Sequence, residues 1–138
     1  MNKAQILEFL NSNPECHLAT VEGARPRVRG VFIYRADQNG ILFQTASFKD
    51  LYKQLQQNSN VELCFNSTDN SKQIRVSGKA ALIEDQGLKE EIVSKRTFLK
   101  ELVEKQGYDT LKVFRVTNCA ATVWTRGTSF EPKEYIQL

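Results

Sequence analysis

Short apolar segments separated by turn residues recur along the chain, and most have the β-branched and aromatic content of strands. The segments that predict strands are residues 16–21, 28–34, 41–45, 61–66, 73–83 and 111–124. Gly23 lies in a turn after the first, and Asn39-Gly40, a strong hairpin dipeptide, precedes the third. The pattern therefore predicts that the first three strands form a β-meander. Gly78, inside the fifth strand, predicts a bulge or a close approach of another chain segment.

Apolar residues at helical spacing predict three helices, one before the first strand and two between later strands. The first covers residues 2–10, and the third covers residues 87–106 with Gly107 placed to end it. The second begins at Ser47, whose side chain is predicted to cap it, with Asp50 three positions later in a capping-box arrangement. Six strands interrupted by helices predict a mainly β (α+β) chain that folds as a small antiparallel barrel. We expect one domain, residues 1–138.

Composition limits the class of protein but does not indicate a function. The 138 residues carry 19 Lys and Arg against 16 Asp and Glu, a net charge of +3, and 41% are hydrophobic. These values are typical of a globular domain and exclude collagen-like, coiled-coil and low-complexity chains. A net charge of +3 is too small for a protein that coats nucleic acid, so we expect no nucleic-acid partner.

The three cysteines, Cys16, Cys64 and Cys119, lack the CxxC spacing of zinc or redox sites. Each lies among apolar neighbours, so we expect buried, reduced thiols, no metal site and a reducing compartment. The first ten residues have no signal-peptide core, and no apolar run approaches the roughly 20 residues that span a bilayer. The sequence therefore predicts a cytoplasmic protein without a membrane partner.

Basic residues concentrate in two places. Alternate residues of a strand share a face, so Arg27 and Arg29 should lie about 6–7 Å apart on one side and can grip a phosphate. Lys49 and Lys53 share one helical face, next to hydroxyls and to the unpaired N–H groups of a helix start. The lysines alone are typical of solvated surface residues. The combined pattern favours an anion site formed by Arg27, Arg29, Thr45, Ser47, Lys49 and Lys53.

Several short motifs, in order, resemble one known family. They are residues 18–20 (LAT), 24–31 (ARPRVRGV), 41–45 (ILFQT), 49–55 with Asn58, and 74–78 (IRVSG). Together they resemble the pyridoxamine 5′-phosphate oxidase-like superfamily, and within it the small single-domain flavin proteins related to nitroimidazole-resistance reductases. The resemblance implies a six-stranded antiparallel split β-barrel with flanking helices, a homodimer, and FMN bound in clefts at the subunit interface.

The resemblance also implies roles for individual residues. The FMN phosphate would be held by Arg27 or Arg29 with Lys49 and Lys53, and Ser47 belongs to the same cofactor site. The backbone from Val28 to Val31 would follow the edge of the flavin ring, with Gln44 and Thr45 near the ring or the ribityl chain. Independently of the resemblance, Trp124, the only tryptophan, is expected either to cover the flavin or the substrate from the partner subunit, because aromatic faces stack on planar rings, or to be a core residue at the barrel edge.

Two departures from the family pattern are visible: Gly30 and Ser59 stand where proline is common. The chain ends at Leu138 without the Arg- and His-rich segment that binds substrate in the longer oxidases. We therefore do not expect pyridoxamine phosphate oxidase activity. His17, the only histidine, has no apparent partner for a metal or catalytic role.

The preferred hypothesis is an FMN-dependent, NAD(P)H-linked oxidoreductase that acts on a small molecule such as a nitro compound or a quinone. The flavin would carry the chemistry, so no catalytic side chain is assigned. The alternative is a non-catalytic flavin or haem binding or sensor protein of the same fold. A third hypothesis, a binder of single-stranded nucleic acid, is disfavoured by the acidic third helix and the small net charge.

Overall fold

The computed structural model describes residues 1–138. The helices are α1 (Lys3–Ser12), α2 (Asp50–Gln57), α3 (Gln86–Lys95) and α4 (Leu99–Gln106). The strands are β1 (Glu15–Glu22), β2 (Arg25–Phe32), β3 (Arg35–Asp37), β4 (Gly40–Ala46), β5 (Asn60–Asn66), β6 (Lys72–Ile83), β7 (Leu111–Thr125) and β8 (Ile136–Gln137). Short 3₁₀ turns cover Tyr108–Thr110 and Arg126–Thr128. None of the helices is long and apolar enough to span a membrane.

All strand pairs are antiparallel, in the order β2-β1-β5-β6-β7-β4-β3, with β8 added to β7. The strands at the two ends of this order, β2 and β3, are separated by only Ile33 and Tyr34. Both linking residues continue the backbone pairing, because Ile33 N donates to Pro14 O (3.0 Å) and Tyr34 N to Leu42 O (2.7 Å). One kinked stretch therefore joins both ends of the sheet and closes it.

Counting β2 and β3 as one kinked strand, the barrel has the predicted six strands, and the split-barrel fold class with flanking helices is confirmed. The predicted β-meander is wrong. The β1–β2 hairpin forms as expected, but β4 pairs with β3 and β7, not with β2. The reason is the kink at Ile33 and Tyr34, which carries the chain from one end of the sheet to the other before the Asn39-Gly40 turn.

The barrel interior contains fully buried side chains from every long strand except β2. Leu18, Phe43, Phe65, Ile74 and Val116 are all 1% exposed or less. Helices α1 and α2 add apolar residues to the same cluster. A second, smaller cluster lies where α3 and α4 cover the outer face of β4 and β7. These two clusters hold the framework on which the candidate site is built.

The predicted third helix, residues 87–106, is two helices. Helix α3 ends at Lys95, and the backbone of Arg96 leaves the helical region (φ −112°, ψ 77°) before α4 begins at Leu99. The Arg96 guanidinium donates hydrogen bonds to the carbonyls of Phe32 and Ile33. These bonds anchor the break to the kink between β2 and β3, a contact that helical spacing alone does not reveal.

The predicted Ser47 cap of α2 is also wrong. Helix α2 begins at Asp50, and its N-cap residue is Lys49, which makes no side-chain capping bond. Residues 47–49 instead form the turn that leaves β4: Ser47 N donates to Thr110 O (2.9 Å) and Lys49 N to Ala46 O (3.0 Å). The chain needs these residues to turn, so the helix starts later than the capping pattern predicts.

Gly78 marks a bulge, as predicted. The single residue Gly78 opposes both Asn118 and Cys119, and the β6–β7 register shifts there. A Cβ atom at Gly78 would lie 2.6 Å from Val116 Cγ1 and 2.7 Å from Thr117 O, so only glycine fits without movement.

The cysteines are unpaired, with Cys16 and Cys119 buried and Cys64 half-buried. Burial raises the pKa of the Cys16 thiol to about 12 and that of the Cys119 thiol to about 11.

Candidate functional site

One open cleft of about 920 Å³ lies between β2, the turn from β4 into α2, and the start of α4. The predicted site residues that line it are Arg27, Val28, Arg29, Val31, Gln44, Thr45 and Lys49. Ser47, Lys53 and Trp124 do not line it. Its lining includes two sets of side chains, which we call the basic end (Arg27, Arg29 and Lys49) and the apolar end (Val28, Phe32, Phe48 and Phe98).

At the basic end, Arg27 is held only by an exposed ion pair. Its Nη2 and Nε atoms donate to Glu22 Oε1 at 2.9 and 3.2 Å, and both side chains are more than 40% exposed. These hydrogen bonds from Arg27, with one from Gln54, hold the pKa of Glu22 below its usual range. Such an exposed pair contributes little to stability, so Arg27 is free to exchange Glu22 for another anion.

Arg29 is fixed more firmly. Its Nη1 atom donates to Thr20 Oγ1 (2.8 Å) and to Leu18 O (3.2 Å), and its Nη2 atom donates to Gln54 Oε1. Burial lowers its pKa, and the charge of Asp50 partly opposes that effect. The sequence left open which of the two arginines contacts the phosphate and which is structural; in the structure, Arg29 is a bridge between β1 and α2.

Gln54 is a site residue that the sequence analysis missed. It is 4% exposed, lines the cleft, accepts hydrogen bonds from Thr20 (2.6 Å) and Arg29, and donates to Glu22 (3.3 Å). The signal was present, since Thr20 and Gln54 both lie in the motifs that carry the family resemblance. Both are polar residues inside those motifs, and this position is the signal that predicts them as partners of Arg29.

The lysines lie at the start of α2, and both are exposed. Lys49 is the N-cap residue and lines the cleft, whereas Lys53 lies one turn further along the helix, outside the lining. Lys53 N donates to Lys49 O (3.4 Å), which keeps the two residues in the same helical turn. Of the two, only Lys49 is placed to meet a ligand inside the cleft of a single chain.

The apolar end consists of four apolar side chains that are exposed in the single chain. Val28 is 67% exposed, Phe32 and Phe48 are each 51% exposed, and Phe98 is 71% exposed. All four line the same cleft. Exposed apolar side chains gathered in one cleft are typical of a place where a ligand or a partner binds.

Arg96 and Gln44 connect the apolar end to the barrel. Arg96 Nη1 donates to Gln44 Oε1 (2.7 Å) and to Phe32 O (2.9 Å), while Nη2 donates to Ile33 O (2.7 Å). Its guanidinium carbon lies 5.2 Å from the centre of the Phe32 ring. Burial lowers the pKa of Arg96. The sequence analysis did not select Arg96, because it stood inside a predicted continuous helix.

Trp124 lies away from the cleft, in a separate concavity near the C-terminal segment. Its Nε1 atom donates to Ser129 Oγ (3.2 Å), and 37% of the residue is exposed. The C-terminal segment returns to the same chain: β8 pairs with Ala120 and Ala121, and Leu138 N donates to Cys119 O (2.9 Å). Within one chain, therefore, Trp124 does not reach the predicted cofactor site.

The fold and the cleft define a small antiparallel split barrel with an open site that is lined by basic and by apolar side chains. The sequence model described as pyridoxamine 5′-phosphate oxidase matches residues 3–124, and the chain belongs to this family. The predicted family resemblance is thereby confirmed. Among curated proteins, none matches the sequence significantly.

Solved structures with the same fold include proteins with different described roles. A NimC/NimA family protein from Clostridium acetobutylicum is 24% identical, with a TM-score of 0.80 over 98% of this chain and 92% of its own. A pyridoxamine 5′-phosphate oxidase-related, FMN-binding protein from Nostoc punctiforme is 17% identical, with a TM-score of 0.63 over 99% and 96%. The haem storage protein HutZ from Vibrio cholerae is 18% identical, with a TM-score of 0.60 over 84% and 89%. At these identities the likeness shows the fold.

Proposed function

We propose that the cleft binds FMN, with the phosphate at the basic end and the flavin ring at the apolar end. The observation that carries the proposal is that basic and apolar side chains line one and the same cleft, with β2 contributing to both sets. A phosphorylated cofactor with a flat aromatic ring needs this pair of surfaces. The description of the Nostoc punctiforme protein as FMN-binding agrees with it.

We propose Arg27 and Lys49 as the main phosphate contacts, with Lys53 and Ser47 supporting the turn that presents them. Arg27 is exposed and paired only with Glu22, a carboxylate that a phosphate can replace. Arg29 already donates to three groups of the protein. Its role in this proposal is to hold Gln54 and β1 in place beside the phosphate. Val28, Val31 and Thr45 then line the path from the phosphate to the ring.

A comparison of FMN with riboflavin tests this assignment, because riboflavin lacks the phosphate. Arg27→Gln and Lys49→Gln should each weaken FMN binding about tenfold or more, because each loses a charged hydrogen bond. Riboflavin binding should change little. Arg126→Gln, an exposed arginine that does not line the cleft, is the matched control. If the wild-type protein retains no flavin after dialysis against FMN, the proposal is refuted. If the two variants lose affinity for FMN and for riboflavin by the same factor, the phosphate assignment is refuted.

We further propose that the chain forms a homodimer through β2. This strand is exposed on both faces, and its Val28 and Phe32 are more than half exposed. A second copy packed there would cover the apolar end and could bring Trp124 of one subunit to the cleft of the other. Light scattering should then give twice the mass of 15.8 kDa, and Val28→Glu should give the monomer. A wild-type monomer at all concentrations would rule the dimer out.

We propose that the bound flavin serves an NAD(P)H-linked reduction of a small molecule such as a nitro compound or a quinone. The cofactor would supply the hydride chemistry, and the chain would bind, orient and shield it. Anaerobic NAD(P)H oxidation that continues beyond one equivalent in the presence of a quinone or nitroarene is the expected result. Oxidation that stops at one equivalent would instead support a non-catalytic flavin carrier or sensor.

Haem is the weaker alternative for this cleft. Haem iron in proteins is commonly held by histidine, and the only histidine of the chain, His17, does not line the cleft. His17 is exposed and lies opposite Gly30 and Cys64 in the sheet. A titration with haem, monitored through the haem absorption band, should therefore show no saturable binding that is lost when Gln44 or Arg27 is substituted.

A further inference from the structure

The side chain of Gln44 is oriented by Arg96. The Arg96 guanidinium donates three hydrogen bonds, two to the backbone carbonyls of Phe32 and Ile33 and one to Gln44 Oε1 at 2.7 Å. It also lies 5.2 Å from the Phe32 ring centre and 5.4 Å from the Tyr34 ring centre, within range of a cation–π contact. Five separate contacts thus fix the position of one guanidinium behind the wall of the cleft.

This arrangement determines which end of the Gln44 amide faces the cleft. A guanidinium has only donors, so the atom that meets Arg96 must be the carbonyl oxygen. The amide nitrogen, Nε2, therefore points away from Arg96. Gln44 lines the cleft, and its Nε2 atom makes no hydrogen bond to any other protein group, unlike its oxygen. An N–H donor is left available at the apolar end.

Gln54, the second glutamine of the cleft, shows the contrast. Its oxygen accepts hydrogen bonds from Thr20 and from Arg29, so an arginine orients this amide too. Its Nε2 atom, however, already donates to Glu22 Oε2 at 3.3 Å. Both cleft glutamines are therefore turned with their nitrogen atoms away from an arginine, but only the Gln44 nitrogen remains without a partner.

We propose that Arg96 is a positioning residue that holds Gln44 as a hydrogen-bond donor for the ligand. The ligand group opposite Gln44 is then an acceptor, such as a carbonyl oxygen or an imine-type ring nitrogen, on a flat ring that packs against the apolar end. A ligand with an N–H donor at this position is disfavoured, because it would face another donor. This inference rests on the proposed function, in which the flavin ring occupies the apolar end.

The decisive variant is Gln44→Glu. A carboxylate at this position still accepts from Arg96, so the barrel and the break between α3 and α4 keep their anchor. It offers no donor to the ligand and adds a negative charge. We expect riboflavin and FMN to bind about tenfold or more weakly, by the same factor for both, because the lost contact is to the ring. The visible absorption band of the bound flavin should also shift in Gln44→Glu, which a change confined to the phosphate end would not cause.

Arg96→Gln tests the positioning step, and Arg35→Gln is its matched control. Arg35 also lies over the Tyr34 ring, at 5.7 Å, and also contacts α3 through Glu91 (3.4 Å), but it makes no bond to Gln44. Arg96→Gln should weaken binding of both flavins severalfold, while Arg35→Gln should leave it unchanged.

Three results would overturn the inference. One is riboflavin binding by Gln44→Glu as tight as that of the wild type, and another is an equal loss in Arg35→Gln and Arg96→Gln. Either of them, with flavin binding by the wild-type protein intact, removes the role of Arg96 and leaves the proposed function standing. A wild-type protein that binds neither flavin removes both.

Discussion

Strands β6 and β2 belong to the same barrel but have opposite environments. Strand β6 is paired along both edges, with β5 and β7, and its Ile74 and Val76 have no exposed surface. Strand β2 is paired only with β1, and most of its residues are exposed on both faces. A strand this exposed is stabilised only weakly by packing against the rest of its own chain. The difference indicates that β6 maintains the fold, whereas β2 is available for groups from outside the chain.

The same contrast separates the polar residues of the two regions. Arg75 of β6 meets Glu62 of the neighbouring strand at 3.8 Å, and it remains on the barrel surface. Arg27 and Arg29 of β2 line a cleft and take part in a network with Glu22 and Gln54. Substitutions in β6 should therefore reduce stability, and substitutions in β2 should reduce binding.

Ile74→Ala should have the largest effect on stability. Ile74 is fully buried in the main cluster, and a truncation of this kind costs about 2–5 kcal/mol through lost burial and a cavity. Urea unfolding followed by circular dichroism measures the change. A loss below about 1 kcal/mol would show that the interior at β6 collapses around the smaller side chain.

Gly78→Ala should come next, at about 1–3 kcal/mol, because its Cβ would overlap Val116 and the carbonyl of Thr117. The carbonyl belongs to the backbone of β7, so it moves only with the strand. Thermal unfolding measures the effect, and Gly87→Ala, whose Cβ would lie 3.4 Å from a side-chain oxygen of Asp85, is the control. Equal melting temperatures for the two variants would contradict the close approach at the bulge.

Asp69 should make the stability of the loop between β5 and β6 depend on pH. Hydrogen bonds from the Ser71 hydroxyl, the Ser71 N–H and the Ser67 hydroxyl lower its pKa from 3.8 to about 2. Because the folded value is depressed, the stabilisation is complete above the unfolded pKa and disappears as pH falls from about 4 to about 2. Asp69→Asn should thus be less stable than wild type at neutral pH, with the difference shrinking across that window. A constant difference in urea midpoint from pH 6 to pH 2 would contradict it.

Val28→Ala should have the smallest effect on the folded monomer. Val28 is 67% exposed, and exposed positions change the free energy of unfolding by less than about 0.5 kcal/mol. The free energy of unfolding should be measured in dilute solution, at a protein concentration where the proposed dimer has dissociated. A loss comparable to that of Ile74→Ala at dilution would erase the distinction between β2 and β6.

The sequence predicted most elements because their causes are local. Gly23, Asn39-Gly40 and Gly78 act within a few residues, and the turns and the bulge are where these residues predict them. The β2–β3 kink was missed, because residues 28–34 have the composition of one strand and only the pairing of Tyr34 N with Leu42 O reveals the change of partner.

The sequence predicted the site residues that are recognised by residue type and local spacing. It did not predict those that join the site through contacts between distant parts of the chain. Alternation along β2 and the basic start of α2 indicated Arg27, Arg29 and Lys49, which do line one cleft. Arg96 could not be selected, since its bonds to Phe32 and Ile33 cross more than 60 positions of the chain. The assignment of the two β2 arginines to different roles likewise needed the positions of Thr20 and Gln54.

The pairing of β4 with β7 has a consequence for the order in which the barrel forms. Ala46 pairs with Leu111 and Ile41 with Val116, so the hairpin of β3 and β4 has no neighbour in the sheet until the last long strand exists. During synthesis from the N-terminus, β1, β2, β5 and β6 can associate first, while the edge of β4 stays open to other chains. We therefore expect nascent chains stalled before β7 to aggregate more readily than the complete chain, in which β7 pairs with that edge.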